Sequence, residues 1–297
     1  MDRRDLLKTM GAAAGTVLVA NGLKAETPEA APTAEPVGIL VDTTLCIGCR
    51  SCEYACADAH KDAGVEYEEN ADFSVVRLTS EKRWTAVNKY ETAKGTFYAK
   101  KQCMHCLSPA CASACLTKAM HKNLNPPGPI VWTADRCMGC RYCMISCPFD
   151  MPKFQYNKAV PRVEKCVMCA ERLAEGKKPA CVENCPSGAL TFGNRKDLLE
   201  EARKRIYAEP EKYVHQIYGE HEAGGTSWMY LSAVPFEQLG FNTNVGDEAY
   251  PTYTREFLYS VPFVEILVPT FMLALSAATK REEAVEKTEH PAAGRKG

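Results

Sequence analysis

Residues 137–148 read Cys-Met-Gly-Cys-Arg-Tyr-Cys-Met-Ile-Ser-Cys-Pro, and residues 46–56 read Cys-Ile-Gly-Cys-Arg-Ser-Cys-Glu-Tyr-Ala-Cys. Both follow C-x2-C-x2-C-x3-C, with Gly and Arg at matching places, so the chain carries an internal repeat. Two looser groups complete the set. One is Cys103-x2-Cys106-x4-Cys111-x3-Cys115, and the other is Cys166-x2-Cys169-x11-Cys181-x3-Cys185, followed by Pro186. The four groups use all sixteen cysteines of the 297 residues.

The spacing points to metal chemistry. A cubane iron–sulfur cluster needs four thiolates around one compact body. C-x2-C-x2-C lets a single tight loop supply three of them. The fourth cysteine, three residues further on, points away, and in two-cluster ferredoxins it ligates the other cluster. Gly48 and Gly139 suit a loop that passes close to a cluster and adopts positive φ. Zinc ribbons pair C-x2-C units but lack the C-x2-C-x3-C extension. Structural disulfides are ill served by adjacent C-x2-C pairs, and a thioredoxin-like site needs one pair only. Sixteen thiolates divide into four clusters with no remainder, so the sequence predicts four [4Fe-4S] centres. Spacing points to exchange of fourth cysteines without saying which motifs pair.

Other residues near the cysteines have blander readings. Met104, Met138, Met144 and Met168 read as polarizable packing. His105 either tunes a cluster through a hydrogen bond or lies at the surface. Arg50 and Arg141 either offset cluster charge or form surface pairs. His60, His121, His215, His221 and His290 are scattered and form no metal site with one another. No acid/base pair, nucleophile triad, phosphate loop or nucleotide fingerprint is present, so the chain reads as a non-catalytic carrier.

Composition narrows the class further. Hydrophobic residues are 46 % and charged residues 25 %, a globular balance. A net charge of −1 without long basic runs gives no sign of a nucleic-acid partner. The chain is also too long for a small disulfide scaffold.

The two ends read as addresses. Residues 1–25 carry Arg3-Arg4 and then a weakly apolar stretch, Thr9 to Ala20, which suits a Tat-type export signal. That route carries proteins already folded around their cofactors, so it agrees with a cluster reading of the cysteines. Residues 26–39 form a linker. Residues 257–278 hold eleven Leu, Ile, Phe or Val and one charge, Glu265. Those side chains favour insertion by roughly 3 to 7 kcal/mol, opposed by about 3 kcal/mol for a central acid. This predicts a transmembrane anchor, with a buried helix of the body as its alternative. Lys280 and Arg281 assign the tail, 279–297, to the cytoplasm.

With these motifs in place, residues 40 to about 240 resemble the four-cluster ferredoxin-like electron-transfer subunits of respiratory oxidoreductases. Phe192-Gly193-Asn194-Arg195 and Gly224-Gly225-Thr226-Ser227-Trp228-Met229-Tyr230-Leu231 also look like that family. Within it, the signal and anchor resemble the hydrogenase-2 type. The resemblance implies that outer motifs exchange fourth cysteines, as do inner motifs. The implied outer sets are Cys46, Cys49, Cys52 with Cys185, and Cys166, Cys169, Cys181 with Cys56. The implied inner sets are Cys103, Cys106, Cys111 with Cys147, and Cys137, Cys140, Cys143 with Cys115. Ala57 and Leu116 depart from the proline usual after the last cysteine.

The implied fold is α+β. Two ferredoxin-like dicluster modules, one nested within the other, form a 40–240 body, with the inner module at about 95–160. A linker at 241–256 and the anchor follow. The implied partners are a catalytic subunit, the small subunit of a nickel–iron hydrogenase, and an integral membrane quinone-reactive subunit. The implied location is the periplasmic side of a bacterial inner membrane. Phe73 to Thr79 alternates like a strand, and Asn194 reads as the N-cap of a helix over 197–208 whose apolar face packs on the body or on a partner. So loop-rich a body buries little apolar surface, so the clusters are expected to act as staples. Removing iron should therefore unfold the chain; an intact far-UV spectrum and unchanged melting would contradict this.

Overall fold

The run Val37-Gly-Ile-Leu-Val-Asp42 forms the central strand β1 of a three-stranded sheet. A near-continuous apolar strand is what burial on both faces requires. Its neighbours are β8 (Leu190–Asn194), antiparallel, and β9 (Trp228–Leu231), parallel. The structure is a computed structural model, and it describes residues 35–124 and 127–289. The export signal, the linker up to residue 34 and His290 lie outside the described residues.

Alternation along β1 sorts its side chains into two cores. Ile39 and Val41 face one way, with Trp228, Tyr230, Tyr218 and Phe236, toward the cysteine loops. Leu40 faces the other way, with Met229 and Leu231, toward helix α6 (Arg195–Ala208). There Leu198, Leu199 and Ala202 close the second core, with Ile206 at its rim. The predicted apolar face is therefore buried on the chain's own sheet. This helix begins at Arg195 rather than 197, and Asn194 caps it by position with no side-chain cap bond; Asn194 Nδ2 instead reaches Asp197 Oδ2 at 3.2 Å.

The cysteine motifs sit among short elements. Helix α1 (Ser51–Ala59) carries Cys52 and Cys56. Hairpin β2 (Thr85–Thr92) to β3 (Gly95–Gln102) follows it. Next come α2 (Ala110–Ser113) and the hairpin β4 (Met120–Leu124) to β5 (Pro127–Trp132). Then come α3 (Tyr142–Ile145) and the pair β6 (Lys153–Phe154) to β7 (Val163–Glu164). Two more short helices, α4 (Ala170–Ala174) and α5 (Ala180–Glu183), precede β8. Helix α1 packs against α5, and α2 packs against α3.

Three expectations need correction. Residues 73–79 form no strand. Their alternation faces the opposite way: Val75, Val76 and Leu78 are exposed and Arg77 is buried. The Asn88 side chain takes the place of a partner strand, accepting from the Arg77 N–H at 2.8 Å and donating to the Arg77 carbonyl at 2.9 Å. The linker is also shorter than expected, because β1 begins at Val37. At the other end, Phe241 packs tilted against Tyr218 and edge-on against Tyr230, and Val245 is buried, so the body runs past 240 into the second linker.

Helix α7 (Tyr250–Glu289) contains Pro262 and Pro269. Within Tyr250–Arg281 an 18-residue window reaches a mean hydropathy of 1.8, so the helix is long and apolar enough to cross a membrane, on length and composition. Its apolar side chains are exposed, Phe257 at 69 % and Leu273 at 71 %, so it is not a buried helix of the body.

A buried ion cluster fixes α1. Glu53 accepts from Arg50 Nη2 at 3.0 Å, from Arg77 Nη2 at 2.7 Å and from the Val87 N–H of β2. All three side chains are at least 90 % buried. Removing one member of a buried pair strands the other charges, at about 3 kcal/mol or more. Glu53→Ala should therefore lower the melting midpoint of the iron-loaded protein by roughly 10 °C; a change under about 1 °C would show the cluster to be energetically idle.

Candidate metal centres

The four cysteine loops share one backbone feature. The residue before the second cysteine has positive φ in each: Gly48 at 71°, His105 at 50°, Gly139 at 74° and Met168 at 52°. The residue after it repeats as well, Arg50 at 60° and Arg141 at 61°. Such reversals turn successive N–H groups into a concavity of the kind that holds anions and iron–sulfur sites. The Met168 N–H lies 3.4 Å from Cys166 Sγ, and the Gly48 N–H bonds Cys46 in the same way. Two of the four positions carry side chains despite the αL penalty of about 1–2 kcal/mol, which is why glycine alone did not reveal the pattern. At Gly48 a second constraint acts, since a Cβ there would run into the Tyr98 ring of β3.

The turn after the fourth cysteine also repeats. Lys118, Asp150 and Gly188, each three residues on, have positive φ. Their N–H groups bond the carbonyls of Cys115, Cys147 and Cys185 at 3.2, 3.2 and 3.4 Å. Leu116 replaces proline without losing this turn. At Ala57 the departure has a consequence, because α1 runs on to Ala59 and delivers His60. His60 Nε2 comes within 3.3 Å of Cys169 Sγ, and its ring lies 4.8 Å from that of Trp84. Nothing local in sequence links residues 60 and 169, so spacing could not find this contact.

The motifs converge from distant parts of the chain. Cys46, Cys49, Cys52 and Cys185 line one cavity, with Lys100, Val87 and Leu190. Burial pushes the Cys56 thiol well up, and the nearby Cys166, Cys181 and Cys169 add to the rise. Burial raises Cys106 well above its ordinary value, with Cys103, Cys147 and Cys111 as its charged neighbours. Burial also carries Cys143 up to about 11, with Cys115, Cys137 and Cys140 beside it. Cys115 goes the other way. Burial opposes its ionisation, but the Met120 N–H at 3.3 Å and the Thr117 hydroxyl at 3.7 Å lower it on balance.

These side chains fit a polynuclear cluster better than a single ion. Among the described residues no three or more His, Cys, Asp or Glu side chains close on one metal position. A zinc site would need its four thiolates at about 2.3 Å from one point. A cubane instead holds its thiolates apart around an iron–sulfide body. Cys111 and Cys166, pushed by burial to about 12, are protonated at neutral pH, so iron binding must displace their protons. Only Cys49 and Cys140, at matching repeat positions, are exposed.

The remaining candidates divide. Arg50 is in the Glu53 ion cluster, whereas Arg141 lies over the Phe154 and Tyr156 rings, 5.5 and 5.6 Å from their centroids. His105 is fully buried, not at the surface, and its Nδ1 accepts the Ile130 N–H at 2.9 Å. Met104 and Met168 are core residues, Met144 packs on the inner helices, and Met138 is exposed.

Residues 95–195 match the model of the 4Fe-4S dicluster domain. The hydrogenase-2 operon protein HybA of Escherichia coli O157:H7 is 35 % identical over 276 residues, covering 80 % of this chain and 83 % of that protein. The chain belongs to the family of iron–sulfur subunits of respiratory oxidoreductases. The iron–sulfur subunit of the nitrate-inducible formate dehydrogenase of Escherichia coli K12 is 36 % identical over 208 residues, 66 % of this chain and 67 % of that one. A protein of Nitratidesulfovibrio vulgaris Hildenborough is 45 % identical over 300 residues, 97 % of this chain and 80 % of its own length. The dicluster-domain match and the sixteen cysteines together support [4Fe-4S] clusters as the group this chain binds.

Proposed function

We propose that the chain binds four [4Fe-4S] clusters and connects a catalytic subunit, of nickel–iron hydrogenase type, to a quinone-reactive membrane subunit. The observation that carries this reading is the meeting of each three-cysteine group with one cysteine from a distant motif. The outer sites are Cys46, Cys49, Cys52 with Cys185, and Cys166, Cys169, Cys181 with Cys56. The inner sites are Cys103, Cys106, Cys111 with Cys147, and Cys137, Cys140, Cys143 with Cys115. The packing of α1 on α5 and of α2 on α3 supports two modules, the inner one nested within the outer.

When bound, the clusters supply one-electron carriers. The protein's own part is to hold and insulate them. The thiols provide the ligands, and loop N–H groups meet the sulfur charge. The apolar shell of Ile39, Val41, Trp228 and Phe236 keeps water from the inner face of the loops. Exposed α7 anchors the body in the membrane, and the Tat-type signal at 1–25 delivers it to the periplasmic side. No acid, base or nucleophile is required of this subunit.

The hydrogenase assignment rests on the length of the match to the hydrogenase-2 operon protein, which exceeds that to the formate dehydrogenase subunit. A formate dehydrogenase, molybdopterin reductase or multihaem cytochrome partner keeps the same wire. Low-temperature EPR of gently solubilised membranes separates these. Cluster signals should rise with hydrogen and fall when quinone is added. Signals silent to hydrogen but raised by formate would move the chain to a formate dehydrogenase complex.

A further inference from the structure

Lysine is seldom fully buried unless its charge is paired. Lys100, on β3 opposite Val87, is 3 % exposed. Its Nζ donates to Gln102 Oε1 at 3.0 Å and lies 4.6 Å from the Trp228 ring centroid. Neither neighbour carries a negative charge. Both are held in turn: Gln102 Nε2 donates to Tyr230 Oη at 2.6 Å, and the Tyr230 hydroxyl donates to the Lys100 carbonyl at 3.0 Å. The ammonium is therefore fixed in place by side chains that do not balance it.

The balancing charge comes from the cysteines. Lys100 lines the cavity of Cys46, Cys49, Cys52 and Cys185. Cys181, Cys52 and Cys166 are its electrostatic neighbours, and their sulfurs meet its charge once iron has displaced their protons. Cys52 belongs to one outer site, and Cys166 and Cys181 to the other. The inner thiols Cys111 and Cys147 feel a different lysine, Lys165, whose Nζ donates to the Ile130 and Cys166 carbonyls.

We propose that Lys100 is a positioning residue for electron transfer, a fixed cation shared by the two outer cluster sites that raises the potential of both. It acts through the clusters and rests on the cluster reading above. A thiolate-ligated cluster gains one negative charge on reduction, so an adjacent cation favours the reduced form. One ammonium between two sites raises both together and acts less on the inner pair, where it is felt at His105. The alternation of β3 places it there: Tyr98 covers Gly48, Lys100 enters the cavity, and Gln102 fixes its head group.

The test is an EPR-monitored redox titration of the membrane-bound, iron-loaded full chain, as wild type, Lys100→Met and Lys100→Arg. In Lys100→Met two of the four midpoints should move to more negative potential, with the other two moving clearly less. Lys100→Arg should stay near wild type. Four unmoved midpoints, an equal shift in all four, or an Arg variant that falls as far as Met would each overturn the proposal. Should Lys100→Met hold no iron, pulsed EPR of wild type labelled with 15N-lysine decides. Lysine nitrogen coupled to two reduced clusters is expected, and its absence at any cluster overturns the role of Lys100. A wild-type chain without iron–sulfur signals contradicts the cluster reading instead.

Discussion

A thiolate cannot be buried cheaply without something that spreads or balances its charge. Of the sixteen cysteines only Cys49 and Cys140 are exposed, and burial raises most of the others. The fold follows from this constraint. Short loops concentrate the sulfur, backbone N–H groups face it, and iron must take the place of its protons. The few regular elements, β1 with its two neighbours and α6 behind them, supply the rigid wall on which those loops stand.

The loops solve a local problem in the same way four times. Positive φ before the second cysteine recurs even where the residue is His105 or Met168. The backbone shape is thus held more strictly than the residue identity. The buried His105 is used for this purpose too, since its ring accepts the Ile130 N–H and ties the second loop to β5. Beyond the loops, the Glu53 cluster ties α1 to Arg77 and β2, so the first motif is braced by residues of the intervening segment.

Much of the site was legible because cysteine spacing is a covalent constraint. Three ligands within seven residues leave the chain little freedom. The apolar helical face of Leu198, Leu199 and Ala202 was legible for the same local reason. What escaped depended on distant partners. His60 reaches Cys169 because helix α1 continues through Ala57. Lys100 is buried beside cysteines of the first and fourth motifs, which lie far from it in sequence. The alternation at 73–79 gave the wrong face because Arg77 has a buried carboxylate to meet, and Val75 and Val76 are left outside. The start of β1 within the expected linker reflects pairing with β8 and β9, which no local signal announces.

The proposed function requires that four cubane clusters hold this chain together. Mössbauer spectroscopy of 57Fe-enriched protein, purified without oxygen and assayed for iron and sulfide, tests it most directly. Four clusters' worth of iron and sulfide per chain, all of it in [4Fe-4S] form, is the expected result. Fewer clusters, zinc in place of iron, or cysteines joined as disulfides would contradict it.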